Sequence, residues 1–158
     1  MNNSKKEELV ENSICRRVGV EEIIPLRHLV LREGLPITSA SFDGDDKPDT
    51  FHFSLVIFTE GSNPLCCVSY MMSELDGKPA LQLRGMATDP KFRGKNLGKT
   101  LLDFAENTIF METGIKLFWC NAREVAIGFY EKQGWATVGD FFDIPTAGRH
   151  KKMVRVYK

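Results

Sequence analysis

Hydrophobic residues recur at helical spacing in three stretches of the chain. In 21–34 (EEIIPLRHLVLREG) apolar residues lie three to four positions apart, and a glycine closes the stretch. The same period starts again at Leu97, and Gly114 ends it. A shorter amphipathic stretch covers 123–133 and stops before Gly134. The spacing therefore predicts three helices.

Extended apolar and aromatic runs between these helices predict a sheet, because turn residues separate them. The predicted strands are 14–20, 51–60, 64–75, 80–88 and 115–120. Two further strands are predicted near the C-terminus, one on each side of DIPTAGRH. Residues 1–12 are expected to be a polar segment, frayed or helical. The stretch 35–50, dense in Pro, Gly and Asp, is predicted to be a loop.

The strand 80–88 has one apolar and one partly polar face. Side chains alternate along a strand, so the apolar face is expected to hold Leu81, Leu83 and Ala87. The other face would then hold Gln82, Arg84, Met86 and Thr88. We expect the first face to pack in the core.

Length and charge indicate a single domain and argue against a protein that binds nucleic acids or membrane surfaces. With 158 residues, the chain is expected to form one domain over 1–158. Lys and Arg together number 21, as do Asp and Glu, so the chain lacks the basic footprint typical of nucleic-acid or membrane-surface binding. The polar N-terminus does not resemble a signal peptide. These features predict a cytoplasmic protein, and they leave open whether it is a monomer or a homodimer.

The four cysteines are expected to be reduced and buried. None lies in a C-x-x-C pair, and no Cys/His spacing resembles a zinc site. Cys66 and Cys67 are adjacent, so in a strand they would face opposite ways.

The sequence FRGKNLGKTLL (92–102) joins a predicted strand to a predicted helix. Only three residues separate Gly94 from Gly98, whereas a nucleotide P-loop needs four. The neighbouring apolar strand IKLFWCN also lacks the Asp that would hold Mg²⁺. Because a helix N-terminus presents free N–H groups, the loop still suits an anion.

With this loop the chain resembles the GNAT superfamily of acyl-CoA-dependent N-acetyltransferases. The family signature [RQ]-x-x-G-x-[GA] is met by Arg93 and Gly98, with Asn96 in place of the middle glycine. Asn tolerates positive φ better than most residues, so the loop shape is expected to survive. A second segment, AIGFYEKQGW (126–135), is similar to the family's A-x-x-[LF]-Y-x-x-x-G-F block. The resemblance covers about 14–158 and is most specific in 80–135.

The resemblance implies an α/β (α+β) fold whose mixed, mostly antiparallel sheet is flanked by helices. It implies acetyl-CoA as co-substrate and no metal. The expected loop contacts to coenzyme A are Arg93, Gly94, Lys95, Asn96, Leu97, Gly98 and Lys99. Backbone N–H groups of Met86, Ala87 and Thr88 would face the thioester and the pantetheine arm. Asn121 is a further expected contact, although it lies two positions before Arg123, where the family commonly has Asn.

Transfer to an amine also needs a proton donor for the departing thiolate, a base and an acceptor site. The resemblance assigns the donor role to Tyr130, and the alternative is a core aromatic residue. No carboxylate occupies the family's usual base position, so Glu74, His52 and a water chain are the candidates. Arg84 would bind an acidic group of the substrate or pair with a structural carboxylate. FDGDD (42–46) would be a surface loop or an acidic rim, and His150 would line the acceptor pocket.

The predicted activity is direct acetyl transfer from acetyl-CoA to a primary amine of a small molecule, peptide or protein. Two alternatives remain at this point. One is a domain that binds acyl-CoA without catalysis, and the other is transfer of a different acyl group or transfer to a hydroxyl.

Overall fold

The computed structural model describes residues 3–158, which fold around one sheet. Within that range the helices are α1 (Asn3–Glu11), α2 (Val20–Leu31), α3 (Leu97–Thr113) and α4 (Ile127–Lys132). The strands are β1 (Ile14–Arg17), β2 (Phe51–Val56), β3 (Cys66–Leu75), β4 (Lys78–Thr88), β5 (Leu117–Arg123), β6 (Ala136–Ile144) and β7 (Gly148–Val156). No helix in the described part of the chain is long and apolar enough to cross a membrane.

The seven strands lie in the order β1-β2-β3-β4-β5-β7-β6. Every neighbouring pair is antiparallel except β4 and β5, which run parallel. Helix α3 packs on one face of the sheet and α2 on the other, as the two core clusters below show. The predicted mixed, mostly antiparallel sheet flanked by helices is confirmed.

Adjacent cysteines show how the two faces are divided. Cys66 packs in the larger core with Leu101 and Ile109 of α3, whereas Cys67 packs in the smaller core with Ile23 and Leu26 of α2. All four cysteines are free thiols. The expectation that the adjacent pair would face opposite ways is confirmed, and it follows from strand alternation alone.

A bulge in β4 overturns part of the predicted alternation. Cys67 lies opposite Ala87, and Ser69 lies opposite Arg84. Between these two pairs β4 contains one more residue than β3, which is a β-bulge. Gly85 within it takes a φ of +64°. As a result Ala87 packs in the α2 cluster, whereas Met86 packs against the α3 cluster with Leu83. The prediction that Ala87 shares the face of Leu83 was therefore wrong.

The predicted helix 123–133 is shorter than its periodicity indicated. Strand β5 runs through Arg123, which pairs with His150 of β7, and a 3₁₀ turn separates it from α4 at Ile127. The first strand is also shorter than predicted, because β1 ends at Arg17. Pairing with neighbouring strands outweighed local periodicity at these boundaries.

Candidate active site

The cleft at the centre of the sheet exists because β4 and β5 separate. The two strands pair only at Leu81 with Phe118 and at Gln82 with Trp119. Beyond that point they diverge around a cleft of about 270 Å³. Its lining comes from α2, the loop after it, β4, β5, α4 and the β6–β7 hairpin; the residues are Leu31, Arg32, Phe42, Gln82, Leu83, Arg84, Gly85, Met86, Cys120, Asn121, Arg123, Ala126, Tyr130, Ile144, Ala147 and His150.

The edge of β4 along this cleft is open. Residues 83–88 have no ladder partner in β5, so their backbone groups on that side are free to bind a ligand. Met86 and Asn121 line the cleft, while Ala87 and Thr88 continue the same open edge. Backbone N–H groups fixed at such an edge can donate to a carbonyl oxygen that gains charge.

The loop after β4 leaves a run of free backbone N–H groups at the start of α3, and residues 93–99 are called the cradle below. Asn96 takes a left-handed conformation (φ 63°, ψ 15°), as the sequence predicted, and Gly94 has a φ of +74°. Within the described residues, no protein acceptor serves the backbone N–H groups of residues 93–99. Free N–H groups and the positive end of the helix dipole together favour an anion.

Gly98 connects the cradle to the cleft. A Cβ on this residue would lie 3.0 Å from Cζ of Phe129 and 3.2 Å from Cε of Met86, which itself lines the cleft. A side chain at this position would force the Phe129 ring or the end of the Met86 side chain to shift by a few tenths of an ångström. This close approach places the cradle beside the open strand edge.

The basic side chains of the loop differ in how free they are. Lys99 forms an ion pair of 2.6 Å with Asp103 one turn along α3, and Lys95 donates to the carbonyl oxygen of Lys91 at 3.3 Å. Arg93 has no hydrogen-bond or ion-pair partner among residues 3–158. It is exposed, so its guanidinium is the loop's freest cation for a ligand.

Tyr130 lies in the wall of the cleft, and its hydroxyl has no partner among the described residues. Burial, and then the neighbouring Cys120 and Cys66 thiols, raise the pKa of the phenol well above its ordinary value of 10.0. It is therefore a protonated donor at neutral pH. Burial likewise raises the pKa of the Cys120 thiol to about 12, which leaves that cleft residue a poor nucleophile.

His150 adds an acid–base group on the opposite wall. Its Nδ1 donates to the carbonyl oxygen of Gly148 at 2.7 Å, since a carbonyl can only accept. In the neutral ring Nε2 then carries a lone pair, and this atom has no partner in the described part of the chain. His150 lies directly opposite Arg123 in the β5–β7 ladder, and both line the cleft.

Two predicted substrate residues lie outside the cleft. His52 is buried on β2, where Nδ1 contacts Oγ of Ser69 at 2.7 Å and Nε2 donates to the carbonyl oxygen of Asp45 at 2.9 Å. Glu74 lies exposed at the far end of β3, opposite Pro79. The structure gives His52 a role in holding the loop at 42–46, and it does not bring either residue to the acceptor side.

Asp45 of the FDGDD loop is folded inward, whereas Asp43 and Asp46 are exposed. Asp45 pairs with the buried Arg27 at 2.7 Å and accepts from the backbone N–H of Phe42 at 2.7 Å. These bonds place the Phe42 ring over the β4 bulge, where a Cβ on Gly85 would meet it at 3.2 Å and Nε of Arg27 at 2.8 Å. Sequence reasoning missed Phe42 and Arg32 as lining residues, although a glycine inside a strand pattern signals a bulge or a close approach.

Two comparisons with known proteins bear on this arrangement. The family model of the acetyltransferase (GNAT) domain matches residues 52–137. The uncharacterized N-acetyltransferase YitI of Bacillus subtilis is 32% identical over 152 residues, covering 90% of this chain and 95% of that protein. The chain belongs to the GNAT family. It is accordingly an acyltransferase.

Solved structures of GNAT proteins share the fold. An aminoglycoside 6′-N-acetyltransferase complexed with coenzyme A superposes with a TM-score of 0.71 at 13% identity, covering 90% of this chain and 96% of the other. A chain of the NatC complex bound to Gag peptide and CoA gives a TM-score of 0.73 at 15% identity, covering 93% and 99%. At this level of identity the likeness confirms the GNAT fold and leaves the ligands to the residues of this chain.

Proposed function

We propose that this GNAT protein moves an acetyl group from acetyl-CoA directly to a primary amine. The observation that carries the proposal is the continuity of the cradle at 93–99 with the open edge of β4 through the contact of Gly98 with Met86. Acetyl-CoA would supply the activated acetyl group as a thioester. A pyrophosphate in the cradle and a pantetheine arm along β4 would match the free backbone donors at each point.

The cradle residues would bind the pyrophosphate mainly through their backbone. Seven successive N–H groups at 93–99 are free of protein acceptors within the described residues, and Arg93 is positioned to add a mobile charge. Lys99 is already paired with Asp103, so it would contribute less than Lys95 or Arg93. Asn121 on β5 would contact the arm from the opposite wall of the cleft.

The chemical step needs only groups that the cleft provides. The amine nitrogen bonds to the thioester carbon, and the backbone N–H groups of 86–88 that face the open edge of β4 stabilise the oxyanion. The C–S bond then breaks, and the sulfur takes the proton of the Tyr130 hydroxyl. Cys120 supports transfer without an acyl-enzyme intermediate, since its raised pKa keeps it protonated.

His150 is the proposed proton acceptor for the amine. Its Nδ1–H bond to Gly148 leaves Nε2 as the basic nitrogen, and the residue lines the cleft. A water chain is the competing route, and it predicts that His150→Gln retains full turnover. Neither His52 nor Glu74 is proposed for this role, because both lie away from the cleft lining.

The test measures binding first and chemistry second. Coenzyme A at 100 times its Kd should stabilise the fold by about 2.7 kcal/mol, seen as a rise in Tm. Gly98→Asp should abolish that rise, because it adds bulk against Phe129 and a negative charge beside the phosphates. Thiol release from acetyl-CoA with a panel of amines then tests transfer, and a series of longer acyl-CoA thioesters tests the choice of acyl group. The absence of any Tm shift at millimolar coenzyme A would overturn the proposal.

A further inference from the structure

Three guanidinium groups line the same cleft. Arg32 comes from the end of α2, Arg84 from β4 and Arg123 from the end of β5. The guanidinium carbons of Arg32 and Arg84 each lie 5.0 Å from the centre of the Phe42 ring. Arg32 and Arg123 both donate to the carbonyl oxygen of Leu31, at 2.9 Å and 3.3 Å.

None of these three guanidinium groups forms an ion pair with a carboxylate among residues 3–158. The partners of Arg32 and Arg123 are backbone carbonyl oxygens, and those of Arg84 are the carbonyl oxygen of Asp43 at 3.2 Å and Sδ of Met71 at 3.1 Å. The nearby Arg27 differs, because Asp45 neutralises it at 2.7 Å. The chain as a whole has no net charge, so the concentration of cations here is a local feature of the fold.

The charges of these arginines also act on one another. Burial, and then the charges of Arg123, Arg27 and Arg84, lower the pKa of Arg32. Like charges that share a half-buried site disfavour one another, and a bound anion would relieve that repulsion. Guanidinium groups suit this role because each can donate two parallel hydrogen bonds to a carboxylate or a phosphate.

We infer that Arg32, Arg84 and Arg123 bind an anionic group of the acceptor, so that the enzyme acetylates small amines that also carry a carboxylate or a phosphate. This inference rests on the proposed function. The cleft volume of about 270 Å³ suits a small acceptor. His150 lies directly opposite Arg123 in the ladder, so an amine beside the imidazole would have its anionic group within reach of the guanidinium cluster. Acceptors with two positive charges, such as diamines, would be repelled.

The experiment compares acceptors that differ only in the anion. Each amino acid is paired with its amide, O-phosphoethanolamine with ethanolamine, and putrescine serves as a dication. The best acceptors should be anionic, with a kcat/KM at least tenfold above that of the uncharged partner. The preference should weaken as salt increases. The amine of each amide is less basic than the amine of its amino acid, so more of it is unprotonated and able to react. This difference favours the amide and therefore opposes the expected preference for the anionic acceptor. The carboxylate and phosphate pairs show which anion the cluster selects.

Arginine variants assign the preference to the cluster. Arg84→Gln and Arg123→Gln should bring the anionic-to-neutral ratio towards one, mainly by raising the KM of the anionic acceptor. Arg84→Lys should keep part of the ratio, because it retains the charge. The KM of acetyl-CoA and the Tm shift with coenzyme A should not change. Arg17→Gln is the matched control, since Arg17 pairs with Glu112 outside the cleft lining.

A binding measurement separates this inference from the proposed function. With coenzyme A present, N-acetylglycine should raise the Tm of the wild-type protein more than N-acetylglycinamide does, and Arg84→Gln should remove the difference. This arm needs no turnover, so a failure of catalysis does not affect it. The inference is overturned if neutral or dicationic amines are the best acceptors, or if the arginine variants weaken coenzyme A binding instead. It is also overturned if carboxylates are the preferred acceptors and N-acetylglycine raises the Tm no more than N-acetylglycinamide does.

Discussion

Tyr130→Phe separates a catalytic role of the phenol from a packing role. The Tyr130 ring packs edge-on to Phe129 at 5.2 Å and at a tilt to Trp135 at 5.4 Å, and phenylalanine keeps both contacts. Its hydroxyl bonds to no described residue, so the substitution leaves no partner unsatisfied. We therefore expect a change of less than about 1 kcal/mol in the free energy of unfolding.

The expected effect on activity is far larger. Loss of a general acid lowers kcat by roughly 10²–10⁴, which is about 3–5 kcal/mol of transition-state stabilisation. The KM of acetyl-CoA should change little, because the proton is needed only as the C–S bond breaks. Since burial raises the pKa of Tyr130, the wild-type phenol stays protonated across the assay range. The defect should shrink with rising pH, where an unassisted thiolate leaves more readily.

Tyr70→Phe is the matched control for this measurement. The Tyr70 hydroxyl is buried without a partner, unlike that of Tyr130, which is open to the cleft, and the Tyr70 ring packs edge-on to Phe118 at 5.6 Å away from the cleft lining. Removing this hydroxyl should stabilise the fold by about 1–3 kcal/mol and leave kcat unchanged. If Tyr130→Phe keeps more than about half of the wild-type kcat with chemistry rate-limiting, Tyr130 is a packing residue and the reasoning fails.

Three further predictions test the cradle and the core. Asn96→Gly should keep the affinity for coenzyme A and Asn96→Val should weaken it, since φ is 63° there; equal Kd values by calorimetry would contradict this. Gly98→Ala should raise the Kd of coenzyme A roughly tenfold, because its Cβ would meet Cζ of Phe129 at 3.0 Å. An unchanged Kd would show that the Phe129 ring moves aside at no cost to binding. Burial raises the pKa of Glu106 from 4.5 to about 7 despite Arg155. The folded state thus holds the proton more tightly, and the free energy of unfolding should fall by up to about 3 kcal/mol as pH rises from about 4.5 to 7. In denaturant titrations at several pH values, the free energy of unfolding of Glu106→Gln should not show this fall with pH. An equal fall in the wild-type protein and the variant would refute the assignment.

The sequence predicted those parts of the site that are formed by residues close together in the chain. The cradle depends on a strand, a short loop and a helix start that are contiguous in sequence, and the positive φ of Asn96 followed from its residue type. Tyr130 was found through a motif within α4, and it does line the cleft. Strand alternation alone divided Cys66 from Cys67 between the two cores.

Other parts of the site depend on residues that are distant in sequence. The cleft brings together α2, the loop at 42–46, β4, β5 and the β6–β7 hairpin, and no local sequence pattern predicts that these elements meet. His52 and Glu74 carried suitable chemistry, but their strand positions put one under the 42–46 loop and the other at the far end of β3.

The sequence by itself determined helices α2 and α3, most strands, the strand–loop–helix unit around 93–99 and the family, because each is encoded by spacing within a short segment. Only the tertiary structure decided that Arg32, Arg84 and Arg123 would share one cleft without a carboxylate. It also decided that Gly85 would break the alternation of β4 and turn Ala87 to the opposite face. The physical reason is that a bulge and a cleft are set by how non-local strands pair and separate, and those pairings compete across the whole sheet.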